Sequence, residues 1–136
     1  GVALAHLMFD LPLFSASRHA RAGAGQRLAE LVATFGLLVV IRGCSRSRPA
    51  ATPFAVGAYI TAAYWFTSST SFANPAVTLA RAATDSFAGI RPADAPGFIM
   101  AQALGAAAAT LFHRWLVPAP PAVRAPVLAA DEEGAA

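Results

Sequence analysis

Lysine is absent from this sequence, and cysteine and charged residues are scarce. All ten basic residues are arginines, and they are spread over short connecting segments instead of a single stripe. This distribution excludes the basic surface that nucleic-acid-binding proteins present, so we expect no nucleic-acid partner. The single cysteine, Cys44, excludes an intramolecular disulfide framework and a cysteine-rich metal site.

Apolar residues, in contrast, are abundant. They make up 57% of the 136 residues, charged residues make up only 12%, and the mean hydropathy is +0.54. These values are unusual for a soluble domain, so we expect the lipid bilayer to be the solvent. The chain opens at Gly1 with neither an initiator methionine nor a basic leader, which predicts a truncated piece of a longer protein.

Apolar stretches bounded by charge or proline predict three membrane-spanning helices. A helix needs about 20 mostly apolar residues to cross a hydrocarbon core ~30 Å thick. Residues 1–9 are too few, and we interpret them as the end of a preceding helix. The full spans are predicted at residues 26–43, 52–66 and 95–116, and residues 118–136, rich in proline and alanine, predict a disordered tail.

The segment between the second and third spans is too long for a tight turn and too apolar for an exposed loop. Asn74 followed by Pro75 is a strong helix-start signal, and Gly89 is a suitable stop. The predicted helix, residues 74–88, is ~21 Å long and cannot cross the whole hydrocarbon layer. We therefore predict a re-entrant half-helix that enters the membrane and ends partway.

The residues just before this half-helix are predicted to line a pore. Non-helical backbone at membrane depth is tolerated where it faces a water-filled cavity, so the carbonyl oxygens of Ser71, Phe72 and Ala73 would replace part of a permeant's hydration. The start of the half-helix and the amide of Asn74 would place partial positive charge at the channel centre. Such a site accepts a water oxygen and opposes cations, protons included.

Asn74-Pro75-Ala76 in this context resembles the second signature motif of the aquaporin, or major intrinsic protein, family. The surrounding order of motifs is also similar to the family's second half, over about residues 1–117. The residues concerned are Ala29-Glu30, Thr34-Phe35, Ala55-Val56-Gly57-Ala58, the run NPAVTLAR from Asn74, and Gln102-Ala103-Leu104-Gly105-Ala106.

The resemblance implies an all-α membrane protein: the second inverted repeat of the aquaporin fold. This repeat has three transmembrane helices and one re-entrant half-helix, preceded by the end of another helix. In the family two such halves meet at mid-membrane, and four channels form a homotetramer. We therefore expect a multi-pass protein of the bacterial inner (plasma) membrane, partnered by lipid, water and small uncharged solutes.

Two departures from the family pattern bear on selectivity. Water-selective members have an arginine directly after the second NPA, where this chain has Val77. Arg81, one helical turn on, is either a displaced filter cation or an arginine that pairs with Asp85 or a loop carbonyl. The family's filter histidine is replaced by Ile60, Thr61 or Ala62, depending on the alignment. These changes predict a wider, more apolar filter that suits glycerol-like solutes or neutral metalloid hydroxides as well as water.

Glu30 is the only acid well inside an apolar helix, a costly position that suggests function. The matching family residue supports the re-entrant loop from behind. We favour that role over proton relay, with Thr34, one turn away, as its helper.

The remaining histidines and acids lack the spacing of metal ligands, and Ser68 to Ser71 have no credible base nearby. We predict no catalytic residue, no metal, no cofactor and no enzyme activity. The arginines divide almost evenly between the two sides, with Arg18 and Arg21 in the polar loop 15–25, so charge does not fix the orientation.

The sequence thus predicts a passive channel for water, small neutral solutes, or both. Alternatives are a glycerol or neutral metalloid facilitator and a non-transporting remnant. A secondary transporter would require coupling-ion ligands beyond the one buried acid.

Overall fold

A computed structural model describes residues 1–117, which fold into helices joined by short loops, with no strand in this range. The all-α prediction is confirmed for these residues; the inverted-repeat topology stays a prediction. The predicted disordered tail, residues 118–136, lies outside the described residues. The helices are α1 (Val2–Met8), α2 (Ala24–Ser47), α3 (Thr52–Phe66), α4 (Pro75–Ala82) and α5 (Ala95–Leu116), with 3-10 turns at Pro49–Ala51 and Pro92–Asp94.

Proline places the starts of three helices. α3, α4 and α5 each carry proline in the first turn, where its fixed φ suits the helix and its missing N–H is not needed. α2 extends beyond the predicted span of residues 26–43 at both ends, and it stops just before Pro49, as expected of the residue that precedes a proline.

Two helical stretches within residues 1–117 are long and apolar enough to cross a membrane: α2 and the run Pro92–Leu116. α3 has the bounds expected for a span, but its 15 residues measure ~22 Å. The helix alone is therefore shorter than a hydrocarbon core of ~30 Å, and the full span at 52–66 stays a prediction.

α2 lies at the centre of the described fold and packs against both α3 and α5. Gly105 lets α5 approach α2 closely, because a Cβ at this position would overlap the carbonyl oxygen of Leu31. Gly36 plays the same part toward α3, where Tyr59 fills the space and its hydroxyl donates to the Ala33 carbonyl at 3.0 Å. Small residues thus set both helix contacts.

α4 is shorter than predicted. Its eight residues end at Ala82, whereas the sequence predicted a helix over 74–88 with Gly89 as its stop. The carbonyls at its end accept from distant amides instead of continuing the helix: Ile90 N–H donates to Arg81, Ser17 to Ala82 and Ser15 to Ala83. Gly89 is needed for close packing, because a Cβ there would overlap the Ser17 hydroxyl and the Thr84 carbonyl.

Candidate pore-lining site

The loop that leads into α4 has an unusual backbone. Thr70, Ser71 and Ala73 have φ values of 62°, 47° and 47°, in the left-handed region that side-chain-bearing residues rarely adopt. Each such residue costs on the order of 1–3 kcal/mol, so the surrounding structure must hold the loop in place.

Glu30 of α2 provides that hold. Its side chain is 0% exposed, and its Oε1 accepts the Phe72 N–H at 2.8 Å while Oε2 accepts the Ala73 N–H at 2.9 Å. The amide of Gln102 donates to Oε2 at 2.7 Å. Three N–H donors point at the two carboxylate oxygens, an arrangement that compensates a buried negative charge.

The same network reaches the start of α4 through Gln102 and Thr78. The Gln102 amide also donates to the Thr78 hydroxyl at 2.9 Å, and that hydroxyl donates to the Asn74 carbonyl at 3.0 Å. Both side chains are buried. Glu30, Gln102 and Thr78 therefore join α2, α5 and α4 into one buried polar unit behind the loop.

Thr34, expected to help Glu30, does not take part. Its side chain is buried, but its hydroxyl has no hydrogen-bond partner within residues 1–117. The carboxylate oxygens point toward the loop and α5, away from the next turn of α2, so the supporting donor comes from Gln102. The sequence signal that could have identified Gln102 is its polar side chain within the apolar run of α5.

Asn74 caps α4. Its Oδ1 accepts the N–H groups of Ala76 at 2.8 Å and Val77 at 3.4 Å, the arrangement expected of an N-cap. The side chains of Asn74, Pro75 and Ala76 are exposed, whereas those of Ser71, Phe72 and Ala73 are buried. The helix start thus faces open space, and the loop before it is anchored in protein.

Arg81 packs on an aromatic ring, with its guanidinium carbon 4.6 Å from the centre of the Phe72 ring. Asp85, one of its expected partners, pairs with Arg18 at 3.1 Å, so the predicted alternative of an Arg81–Asp85 pair is wrong. The other alternative, a loop carbonyl, is not observed at Nη1, which is buried without a hydrogen-bond partner within residues 1–117.

Arg21, which the sequence placed in a polar loop and gave no role, is 2% exposed. Its guanidinium donates to the carbonyls of Ser69, Phe87 and Gly89. Burial lowers the pKa of this guanidinium, and the nearby charge of Arg81 lowers it further. The sequence offers no local signal for this burial.

Comparison with known proteins finds a similar protein of the aquaporin type. The chain is 57% identical over 125 residues to Aquaglyceroporin AqpS of Rhizobium meliloti (strain 1021). The chain fits the aquaporin, or major intrinsic protein, family. The match covers 91% of this chain and 54% of that relative, so the chain spans about half of the relative's length. No family model and no solved structure matches the chain.

The resemblance that Asn74-Pro75-Ala76 carried is thus confirmed, and the remaining residues of the predicted aquaporin filter can be placed. Val77, at the position of the filter arginine, is partly buried and packs against the cluster of Phe72, Ile90 and Phe98. On α3, Ile60 is half-buried and Ala62 is exposed. Their role as a pore wall stays a prediction.

Within residues 1–117, no group of three histidine, cysteine or acidic side chains is placed to hold a metal ion. His6, a buried histidine, bonds the Pro12 carbonyl through Nδ1 at 2.5 Å and the Thr84 hydroxyl through Nε2 at 2.7 Å. Both of its ring nitrogens are therefore occupied: Nδ1 bonds the segment that follows α1, and Nε2 ties α1 to the segment after α4.

Proposed function

We propose that this chain forms one half of a passive membrane channel for small neutral solutes, glycerol and water among them. The observation that carries the proposal is the exposed cap of α4, at the end of a loop whose N–H groups are tied to Glu30. The family match supports a membrane channel as the setting for this arrangement.

The hydrogen bonds of the loop favour a hydrated permeant. The N–H groups of Phe72 and Ala73 point to Glu30, and within the described part of the chain none of the carbonyls of Ser71, Phe72 and Ala73 accepts a hydrogen bond. Carbonyl oxygens without a protein partner are suited to replace the water around a solute hydroxyl. A file of such acceptors selects molecules that donate hydrogen bonds.

Electrostatics oppose cations at the same place. The N-terminus of α4 carries partial positive charge from its aligned peptide dipoles, and the Asn74 side-chain amide adds N–H donors beside it. Glu30, the nearby negative charge, is buried behind the loop and already accepts three hydrogen bonds. A neutral solute therefore meets acceptors along the loop and donors at the cap, whereas a cation meets a positive end.

The chemistry of position 77 supports glycerol over strict water selectivity. Val77 provides no charge and no hydrogen-bond donor where water-selective aquaporins have an arginine. The matched relative is called an aquaglyceroporin, a name that points to glycerol as well as water. Neutral metalloid hydroxides, which resemble glycerol in size and hydroxyl content, form the second solute class.

The exposed apolar surface supports a multi-pass membrane protein, and a homotetramer in a bacterial inner membrane is the assembly that the family resemblance implies. Large apolar side chains, among them Phe54, Trp65 and Trp115, point outward from the described helices. Surfaces of this kind belong against lipid or against other protein.

The experiment compares water and glycerol fluxes by stopped-flow light scattering of proteoliposomes. They contain the full-length protein that carries this chain, or its Val77→Arg or Val77→Ile variant. We expect both solutes to pass the wild type. Val77→Arg should lower glycerol permeability by about tenfold or more, or ~1.4 kcal/mol of barrier, because it narrows and charges the filter, and should spare water.

Val77→Ile is the matched control, since it changes size without charge and should leave both fluxes close to wild type. Fluxes no higher than those of lipid alone would reject the channel and favour a non-transporting remnant. Exclusion of everything larger than water by the wild type would reject the wide filter.

A further inference from the structure

Arg21 lies at a junction of three parts of the fold. It belongs to the segment between α1 and α2, and its own backbone N–H donates to Asp94 Oδ2, just before α5, at 2.9 Å. Its side chain extends from there toward the loop that precedes α4. A buried arginine with this reach is costly unless its donors are used.

The side-chain N–H groups of Arg21 link the segment before α4 to the segment after it. Nη1 donates to the Ser69 carbonyl, before α4, at 2.8 Å. Nη2 donates to the Phe87 carbonyl at 3.0 Å and Nε to the Gly89 carbonyl at 2.8 Å, both after α4. The planar fork of a guanidinium can bond three separate carbonyls at once, which the single ammonium of a lysine cannot do in the same geometry.

Arg21 and Arg81 also share one aromatic ring. The guanidinium carbon of Arg21 lies 5.0 Å from the centre of the Phe72 ring, and that of Arg81 lies 4.6 Å from it. Phe98 packs against the same ring at 5.4 Å. The π-face attracts each cation, while the two like charges repel each other, so moving one guanidinium changes the preferred place of the other.

The two arginines differ in what their donors do. Arg21 uses Nε, Nη1 and Nη2 on carbonyls, whereas Arg81 Nη1 has no partner within residues 1–117. Arg81 follows Val77 by one helical turn, on the same side of α4. Arg21 is thus fixed by three carbonyls, whereas Arg81 keeps a donor that no group within residues 1–117 uses.

We propose that Arg21 is a positioning residue of the channel: it fixes Phe72 and, through the shared ring and charge repulsion, holds Arg81 in the orientation that sets solute preference. This inference rests on the proposed function. A purely anchoring role for Arg21 would also stabilise the loop, but it would not link the solute preference to Arg81.

The test uses Arg21→Gln, Arg21→Lys and Arg81→Gln in the full-length protein, and the double variant Arg21→Gln/Arg81→Gln. Arg18→Gln is the matched control, because Arg18 lies in the same segment but its side chain is 91% exposed. The measured quantity is the ratio of glycerol to water permeability in proteoliposomes, normalised to the amount of inserted protein.

We expect Arg21→Gln to shift this ratio by about threefold or more, in the same direction as Arg81→Gln. The double variant should shift it no further than the larger single change, because both substitutions act through one element. Arg21→Lys keeps the charge but not the planar fork, so it should restore the ratio only in part, and Arg18→Gln should match the wild type. An unchanged ratio in Arg21→Gln overturns the proposal, as does full additivity in the double variant.

A second measurement does not depend on transport. The N–H groups of Ile90 and Arg91 donate to the backbone carbonyls of Arg81 and His19. Amide hydrogen exchange at these two N–H groups should be faster in Arg21→Gln than in the wild type, and unchanged in Arg18→Gln. Unchanged exchange overturns the proposal even if the wild type passes no solute, a result that would reject only the channel function.

Phe72→Leu covers the case in which Arg21→Gln does not reach the membrane. This variant removes the shared ring and keeps the hydrogen bonds of Arg21. A shifted ratio in Phe72→Leu supports the link through the ring, and an unchanged ratio overturns it.

Discussion

The two ends of α4 are held in different ways. At the inner end, the loop of residues 69–73 and the cap are fixed by Glu30, Gln102 and Thr78, all of them buried. At the outer end, residues 83–94 are held by backbone bonds from the segment 15–21, by the buried Arg21 side chain and by ion pairs with exposed arginines. The inner end thus depends on a buried carboxylate, whereas the ion pairs of the outer end involve the exposed arginines Arg18 and Arg91.

The difference predicts unequal tolerance to change. A buried polar network is strong when complete, but losing one member leaves the others without partners in a low-dielectric setting. Exposed ion pairs are screened by water and salt and contribute little. Loss of one member of the buried network at the inner end should therefore cost more stability than loss of an exposed ion pair at the outer end.

The largest effect is expected from Glu30→Ala, the change that most directly breaks the inner end. It leaves the N–H groups of Phe72 and Ala73 and the Gln102 amide without their acceptor, at a cost of roughly 3–5 kcal/mol. The full-length variant should reach the membrane poorly, lose solute permeability and melt well below the wild type in detergent.

Glu30→Gln is the graded control for this prediction. Its one carbonyl oxygen can still accept from the loop, but its new amide group faces an N–H donor, so we expect an intermediate loss of about 1–3 kcal/mol. Wild-type melting and permeability in Glu30→Ala would mean that the loop holds its left-handed residues without the carboxylate, and the contrast between the two ends would fail.

Gly105→Ala tests the same contrast between the two ends of α4, because it displaces α5 without removing a polar group of the inner end. The added methyl would meet the Leu31 carbonyl, so α5 must shift away from α2, and Gln102, one turn earlier in α5, shifts with it. Overpacking of this kind costs about 1–3 kcal/mol. We expect a lower melting temperature and reduced permeability per inserted channel.

Gly57→Ala is the matched control, because a Cβ at Gly57 in α3 meets nothing within 4 Å. This substitution should leave stability unchanged or raise it by about 0.5–1 kcal/mol through helix propensity. Equal melting temperatures for the two variants would show that the α2–α5 contact does not constrain the network.

The start of α4 is readable from the sequence and its end is not, for a physical reason. Asn74 and Pro75 act within one turn, through a side-chain cap and a fixed φ, so their effect is local. The end at Ala82 depends on amides of Ser15, Ser17 and Ile90 that arrive from distant parts of the chain. A glycine stop signal at Gly89 could not reveal these long-range partners.

The arginines show the same limit of sequence-based prediction at the site. Arg18 and Arg21 lie three residues apart in one polar loop and look equivalent in sequence, yet the first is exposed and the second is buried. Glu30 could be suspected because a carboxylate in an apolar helix needs a reason, and the family resemblance supplied that reason. Burial of an arginine from a polar loop has no such signal, because it depends on which carbonyls the fold brings together.

The smallest effect on stability is expected from lowering the pH, which acts on the carboxylates at the outer end of α4. Asp85 accepts from the Arg18 N–H at 2.8 Å and from its guanidinium, and these bonds lower the pKa of the carboxyl. Asp94 has a lowered pKa because of its bonds with the Arg91 side chain and the Arg21 N–H. Both carboxylates attach the segment 15–21 or the turn before α5.

A carboxyl whose pKa is lowered by folding stabilises the fold fully above its unfolded value of about 3.9 and loses that contribution as the pH falls through the folded value. Melting temperature should therefore be flat from neutral pH to about pH 5 and drop modestly below about pH 4.

The melting temperature of the variant Asp85→Asn/Asp94→Asn should drop less between pH 6 and pH 3 than that of the wild type. Asp10→Asn, at an exposed aspartate after α1, should follow the wild type. If the double variant loses as much as the wild type, acid destabilises the fold at other groups, and the ion pairs of the outer end do not set its response to acid.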